Sequence, residues 1–290
     1  MLNAQIHFTK TRIAPTPSGY LHLGNVFSFA LTAALARKTG AKILLRIDDL
    51  DQVRVNTNYV QDIFDTLNFL NIPWDEGPRD MEDYKANWSQ LHRMDLYRNA
   101  LQQLADQRAI FACRCSRSQL QGSSYPGNCR NRSIPLGTPG TAWRLYTDER
   151  ELSIKTLNKN TIKEQLSAEM KDFIVKKKDD YPAYQLASLI DDLHFGVDFV
   201  VRGEDLYPST IAQHYLADVL GERSFQNMTF HHHPLLMEAG DKKLSKSAGA
   251  TSVKYLREQG KSAGDVYGES GRMLGLNKDL RSFQNFVNLV

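Results

Sequence analysis

Residues 12–25 read RIAPTPSGYLHLGN, and the fold is decided there. Arg12, Ile13 and Ala14 suit the end of a buried strand, while Pro15 and Pro17 stop a helix and stiffen the exit. Gly19 and Gly24 let a ligand come close to the backbone. From Val26 to Thr39 the chain is rich in Ala, Leu and Phe and stops at Gly40, which reads as a helix with a glycine terminator. A strand that feeds a helix N-terminus through such a turn offers phosphate the free N–H groups and the positive end of the helix dipole. His22 stands at that N-terminus, where its ring can donate to the same anion.

Working outward, Ile43 to Ile47 is an apolar run suited to a buried parallel strand, with Asp48, Asp49 and Asp51 just beyond it. Polar groups at the C-terminal ends of such strands are how open α/β sheets build ligand crevices. The three acids suit a metal, a helix cap or an ammonium group, and Asp49 and Asp51 equally suit local backbone. Val60, Ile63, Phe64, Leu67 and Leu70 give a helix over 59–70 one apolar face, capped by Asn56 or Thr57. After the break at 72–78 a further helix is expected from Trp88 to Leu104, carrying Leu91, Leu101 and Leu104. Residues 196–221 repeat the strand–loop–helix pattern: Phe199 to Val201 form the strand, and Pro208 suits the first helical turn. Arg202 ends that strand. In a parallel sheet it points to the crevice that holds Asp48, where its fork suits a carboxylate ligand, or equally Glu204 or Asp205.

The chain has 290 residues, with 41% apolar and 24% charged residues and a net charge of +3. That is enough for one large domain or two smaller ones, and the mild basicity is compatible with RNA. The first residues, MLNAQIHFTKTR, carry no apolar core of a secretory signal, and no run approaches the ~18 apolar residues of a membrane span. The three cysteines, Cys113, Cys115 and Cys129, are clustered, which argues for a reducing cytoplasm rather than a disulfide framework. Three thiols so close suit zinc, which needs a fourth ligand; Tyr125 is the nearby candidate, and three reduced buried thiols are the plain alternative. Lys176, Lys177 and Lys178 suit RNA phosphate or, more simply, a solvated face. His231, His232 and His233 read as structural, because a strand sends neighbouring side chains to opposite faces. Near the end, DKKLSKSAG places Lys243, Ser245 and Lys246 in a basic loop between Gly240 and Gly249. The remaining tail has room for about two helices.

PTPSGYLHLGN resembles the HIGH signature of class I aminoacyl-tRNA synthetases in its glutamyl and glutaminyl branch, with Asn25 where the signature has its last His. RIDDLD resembles the branch's R-x-E-D-x-D segment, YPAYQLASLIDD its F-x-Y-x-L-A-x-x-x-D-D pattern, VRGEDL its VRGxDL, and KLSKS the KMSKS signature. The cysteine segment is similar to the zinc site of the glutamyl-queuosine tRNA(Asp) synthetase family, where a C-x-C, a Tyr and a later Cys hold the metal. The resemblance implies an α/β fold: a Rossmann-type parallel sheet, an inserted zinc-bearing subdomain and a short helical C-terminal tail. The implied divisions are a catalytic first half at 1–105, an insertion at 106–184, a catalytic second half at 185–250 and a tail at 251–290.

By the same resemblance, ATP with its Mg²⁺ is held by His22, Gly24, Asn25, Lys243, Ser245 and Lys246, with His22 and Lys246 stabilising charge on the phosphates. L-glutamate is held by Arg12, Ala14, Thr16, Asp48, Tyr184 and Arg202, and structural Zn²⁺ by Cys113, Cys115, Tyr125 and Cys129. Asp48 replaces the family's Glu and is shorter by about 1.5 Å, which alters the contact with the amino group. The sequence ends soon after KLSKS, where full glutamyl-tRNA synthetases carry an anticodon-binding region. The expected activity is therefore formation of glutamyl-adenylate and transfer to queuosine in the tRNA(Asp) anticodon loop, by a cytoplasmic monomer. The alternatives are a minimal synthetase charging a tRNA 3′ end, a non-catalytic tRNA-binding paralogue, and a HIGH-type nucleotidylyltransferase.

Overall fold

The computed structural model describes residues 7–116, 119, 124–157, 161–235, 237, 238, 242, 243, 252–273 and 280–289. In chain order the strands are β1 (Lys10–Ile13), β2 (Lys42–Leu45), β3 (Ile110–Cys113), β4 (Ala142–Leu145), β5 (Leu152–Thr156), β6 (Thr161–Glu164), β7 (Ile174–Lys176), β8 (Phe199–Gly203), β9 (Thr229–His233), β10 (Met237–Glu238) and β11 (Lys242–Lys243). The helices are α1 (Leu23–Thr39), α2 (Thr57–Phe69), α3 (Met81–Asp83), α4 (Met94–Asp106), α5 (Tyr184–His194), α6 (Tyr207–Leu220), α7 (Arg223–Gln226), α8 (Val253–Glu258), α9 (Ala263–Met273) and α10 (Phe283–Leu289). The chain forms two compact units, one of residues 1–92, 199–204 and 231–290, the other of 93–198 and 205–230.

In the first unit β1 and β2 pair in parallel, Arg12 opposite Leu44 and Ile13 opposite Leu45. The expected parallel strand–helix–strand unit is therefore present, and α1 is its crossover. Ile13, Val26, Ala30, Leu44 and Leu45 are buried together with Ile63 and Leu67 of α2. β8 lies beside β1: the Phe8 and Phe199 rings stack at 4.3 Å, and Arg12 Nη1 donates to the Val201 carbonyl at 3.2 Å. α1 ends on Gly40 at φ 74°. Gly77 has φ 110°, and a Cβ there would lie 2.2 Å from the Leu45 carbonyl oxygen, so only glycine fits the close pass beside β2. The tail folds back as α8, α9 and α10, where the sequence suggested about two helices; Tyr267 of α9 donates to the Leu70 carbonyl at 2.8 Å.

Two local expectations are corrected here. The helix expected from Trp88 to Leu104 is broken: Tyr84–Trp88 is a π turn, Gln90–Arg93 a 3₁₀ turn, and α4 starts at Met94. The cause is Asp49. Its carboxylate accepts from Tyr84 Oη at 2.6 Å, Ser89 Oγ at 2.5 Å and the Gln90 N–H at 2.8 Å, which bends the chain around one buried acid and leaves Leu91 exposed. Asp49 thus serves distant groups rather than its own local backbone.

In the second unit β3, β4 and β7 form an antiparallel sheet with a register shift at Trp143/Arg144. β5 pairs antiparallel with β6 and parallel with the start of β9, at Thr229 and Phe230. Tyr97 of α4, Leu189 of α5, Leu216 of α6 and Phe225 of α7 are buried among these elements. Lys176 is not on a solvated face: it is 9% exposed, with its Nζ 4.6 Å from the centre of the Trp143 ring and paired with Asp180.

Candidate active site

The strand–turn–helix of residues 12–25 is present, and α1 begins at Leu23, three residues before the expected Val26. Asn25 explains the earlier start. Its Oδ1 accepts from the His22 N–H at 3.1 Å, while the Asn25 and Val26 N–H groups donate to the His22 carbonyl at 2.9 and 3.2 Å. The residue that departs from the HIGH pattern therefore closes the helix start. No acid occupies the first turn of α1, so its positive end remains suited to an anion.

Beside that turn, the Asp48 N–H donates to the Pro15 carbonyl at 2.9 Å. Arg46, 2% exposed, grips the Asp48 carboxylate with Nε at 2.7 Å and Nη2 at 3.0 Å. The sequence reading does not single out Arg46, although the i, i+2 spacing of Arg46 and Asp48 puts both on one face of an extended chain. Arg12 and Arg202 are 5% and 3% exposed. Both act on His232, whose imidazole is pushed down to about 3, first by burial and then by the charge of Arg202, with His231, His233 and Arg12 adding smaller effects. Two buried guanidiniums and a neutral imidazole make a region of positive potential at the ends of β1 and β8, which suits a carboxylate. His233 packs edge-on against Phe27 at 4.9 Å. Among the described residues the three histidines are not grouped with each other as candidate metal ligands. Ala14 is half-buried and Thr16 exposed on the same turn.

The chain that follows the second signature returns to this turn. β10 and β11 form a hairpin, with Met237 opposite Lys243. Ser245 and Lys246 lie outside the described residues. Where the chain is next described, Ser252 bridges antiparallel to His22, and the Val253 N–H donates to the Leu21 carbonyl at 2.8 Å. The HLGN turn and the start of α8, five residues beyond KLSKS in sequence, are thus backbone neighbours.

Tyr184 belongs to the second unit, opens α5 and is 42% exposed. The same unit holds the thiols. The Cys113, Cys115 and Cys129 sulfurs all lie within 4.8 Å of one another, Cys115 and Cys129 at 3.6 Å. Tetrahedral Zn–S bonds of ~2.3 Å place sulfurs about 3.8 Å apart, so the three thiols fit that ion. Tyr125 Oη accepts from the Cys129 N–H at 2.7 Å and lies beside Cys113. Burial holds its hydroxyl well above the usual phenol range and pushes Cys115 up to about 11. Burial also opposes ionisation of Cys129, but hydrogen bonds from the Arg114 backbone and the neighbouring thiols outweigh it, and that thiol is lowered. A divalent ion would offset the burial costs.

A phosphate-suited helix start and two buried arginines on an α/β frame fit a class I synthetase catalytic domain. The model of "tRNA synthetases class I (E and Q), catalytic domain" matches residues 9–134 and 141–272, and the chain belongs to that family. It is 37% identical over 265 residues to a glutamyl-Q tRNA(Asp) synthetase of Parasynechococcus marenigrum, covering 91% of this chain and 82% of that one. It is 31% identical over 265 residues to glutamate–tRNA ligase 1 of Syntrophus aciditrophicus, covering 87% of this chain and 53% of that one. The chain thus spans about half the length of the glutamate–tRNA ligases it matches. A solved glutamate–tRNA synthetase from Elizabethkingia anophelis shares the fold, with a TM-score of 0.78, 23% identity and coverage of 97% of this chain and 65% of that one. No helix among the described residues is long and apolar enough to cross a membrane.

Proposed function

We propose that the chain activates L-glutamate with ATP and transfers the glutamyl group to queuosine in the anticodon loop of tRNA(Asp). The observation that supports the reading is the helix start at His22, bridged to Ser252 from the chain that follows KLSKS and held in the same unit as two buried arginines. Arg12 and Arg202 bind the carboxylates of glutamate. Ala14, Thr16 and Asp48 face its amino end, with Arg46 fixing the orientation of the Asp48 carboxylate. ATP lies against the start of α1, over His22, Gly24 and Asn25, with Lys243, Ser245 and Lys246 on its phosphates. Mg²⁺ arrives with the nucleotide and keeps most of its waters.

The α-carboxylate oxygen of glutamate attacks the α-phosphorus in line. A P–O bond forms to the carboxylate, the bond to the leaving oxygen breaks, and pyrophosphate departs. Holding both reactants in one crevice supplies much of the rate, and His22 and Lys246 stabilise the charge that grows on the phosphates. A queuosine hydroxyl then attacks the carbonyl carbon, forming the ester and releasing AMP. Cys113, Cys115, Tyr125 and Cys129 would hold Zn²⁺, which orders its loop and leaves no open position for chemistry. The choice of queuosine over a 3′ end is supported by relatives of that name at 32–37% identity.

The test is transfer of labelled glutamate to tRNA(Asp) stripped of its terminal adenosine, with and without queuosine. Label on the queuosine form alone is the expected result; label only on intact tRNA, whatever its wobble base, would make this a 3′-end synthetase. Binding of tRNA without glutamate-dependent pyrophosphate exchange would make it a paralogue that binds only. Within the enzyme reading, Arg202→Ala should lower kcat/KM for glutamate by roughly 10- to 100-fold through one lost charge-assisted contact.

A further inference from the structure

The segment after KLSKS is fastened to the HLGN turn at several points outside the residues the reaction needs. α8 starts on Ser252, whose Oγ accepts from the Tyr255 N–H at 3.1 Å. Lys254 Nζ donates to Tyr20 Oη at 3.0 Å and stands 4.4 Å from the centre of that ring, and the Tyr20 ring meets Tyr59 of α2 edge-on at 4.8 Å. Beneath these contacts Arg257 of α8 pairs with Asp62 of α2, which is 3% exposed. The Leu21 backbone also acts on the Asp62 carboxylate. Burial pushes the Asp62 carboxyl above the usual carboxylate range, and Arg257 is the largest influence opposing that shift. A buried ion pair is a poor source of stability compared with apolar side chains of the same size, but it fixes orientation.

We propose that Asp62 and Arg257 are positioning residues, a latch that sets the start of α8 against the HLGN turn and so holds that turn in the geometry that receives the ATP phosphates. This rests on the activation chemistry proposed above. Neither residue touches substrate. The latch acts through α8, whose first N–H, that of Val253, donates to the Leu21 carbonyl beside the His22–Ser252 bridge. A displacement near 1 Å at such a site is enough to cost on the order of 100-fold in rate.

Asp62→Asn and Arg257→Gln each remove the pair, and Asp62→Leu/Arg257→Met removes both charges without stranding either. Glutamate-dependent ATP–pyrophosphate exchange should fall in kcat by roughly 10- to 100-fold in all three. KM for glutamate should stay within about twofold, since Arg12 and Arg202 are untouched. Arg257→Lys should restore most of the rate, and the double variant should lose kcat while keeping its melting temperature. Hydrogen exchange at the Val253 amide, measured without substrates, should quicken in the two single variants while the amides of α1 stay protected. An unchanged kcat in the double variant, or unchanged Val253 exchange in both single variants, overturns the latch. If the unaltered chain shows no glutamate-dependent exchange, the activation reading falls, and Val253 exchange alone decides the latch.

Discussion

His232 carries a pH signature that can be read without substrate. Its imidazole sits at about 3 in the fold, against an ordinary 6.5, because burial and then Arg202 oppose a positive charge. Between those values the unfolded chain takes a proton that the folded chain refuses. The stabilising contribution is therefore complete above 6.5 and drains away as pH falls towards 3. His232→Gln should take up one fewer proton on unfolding across that window, seen as a shallower pH dependence of the urea midpoint; identical slopes would place His232 away from the arginines. The sequence could not single this residue out. A run of three histidines shows that a strand alternates, not which member lies near guanidiniums brought by β1 and β8. The same limit applies to Arg46, whose grip on Asp48 is consistent with strand spacing but is decided by the buried place of the pair. Asn25 is the opposite case: seen in the sequence as a departure from the signature, it caps the helix that carries His22.

Elements were legible where one apolar period ran unbroken, and misread where a buried acid intervened. The β1–α1–β2 unit and α2 follow their sequence patterns, down to the Asn56 side chain accepting from the Asn58 N–H at 2.8 Å. The helix expected over 88–104 does not, because Ser89 and Gln90 are claimed by Asp49 from a different element. Asp191 does comparable work in the second unit. It lies on α5 at 0% exposure and takes Arg93 Nε at 2.8 Å, Arg93 Nη2 at 3.2 Å and, from α4, Tyr97 Oη at 2.6 Å. In sequence it is one acid of the pair in YQLASLIDD, with nothing to mark its partners. Asp191→Ala strands the buried guanidinium and the hydroxyl, so it should cost about 3–5 kcal/mol in urea unfolding. A loss below about 1 kcal/mol, the scale of an exposed ion pair, would mean that Arg93 finds water once its partner is gone.

At the scale of the whole chain, the order of weak motifs foretold an α/β class I fold better than any single motif. What it could not supply was long-range pairing: the parallel join of β5 to β9 across more than 70 positions of sequence, or the tail helices packed on α1. Loss of zinc gives a prediction at this scale, because the thiol cluster and everything packed on it belong to one unit. Phe111, Ile134 and Tyr146 surround the thiols and Tyr125, and Arg144 lies 3.9 Å from the centre of the Tyr125 ring. The protein should carry about one zinc per chain, held by four ligands. Chelation, or Cys129→Ser, should raise hydrogen exchange in β3 and β4 and lower the melting temperature, because binding energy for a structural ion is folding energy. The amides of β1, α1 and β2 should keep their protection, since none of them contributes a ligand. Tyr125→Phe separates the fourth ligand from the thiols. It removes the phenol oxygen but keeps the ring under Arg144, so it should weaken zinc without unpacking Phe111. Unchanged zinc affinity in that variant would leave the three thiols as the whole protein share of the site and give the fourth position to water.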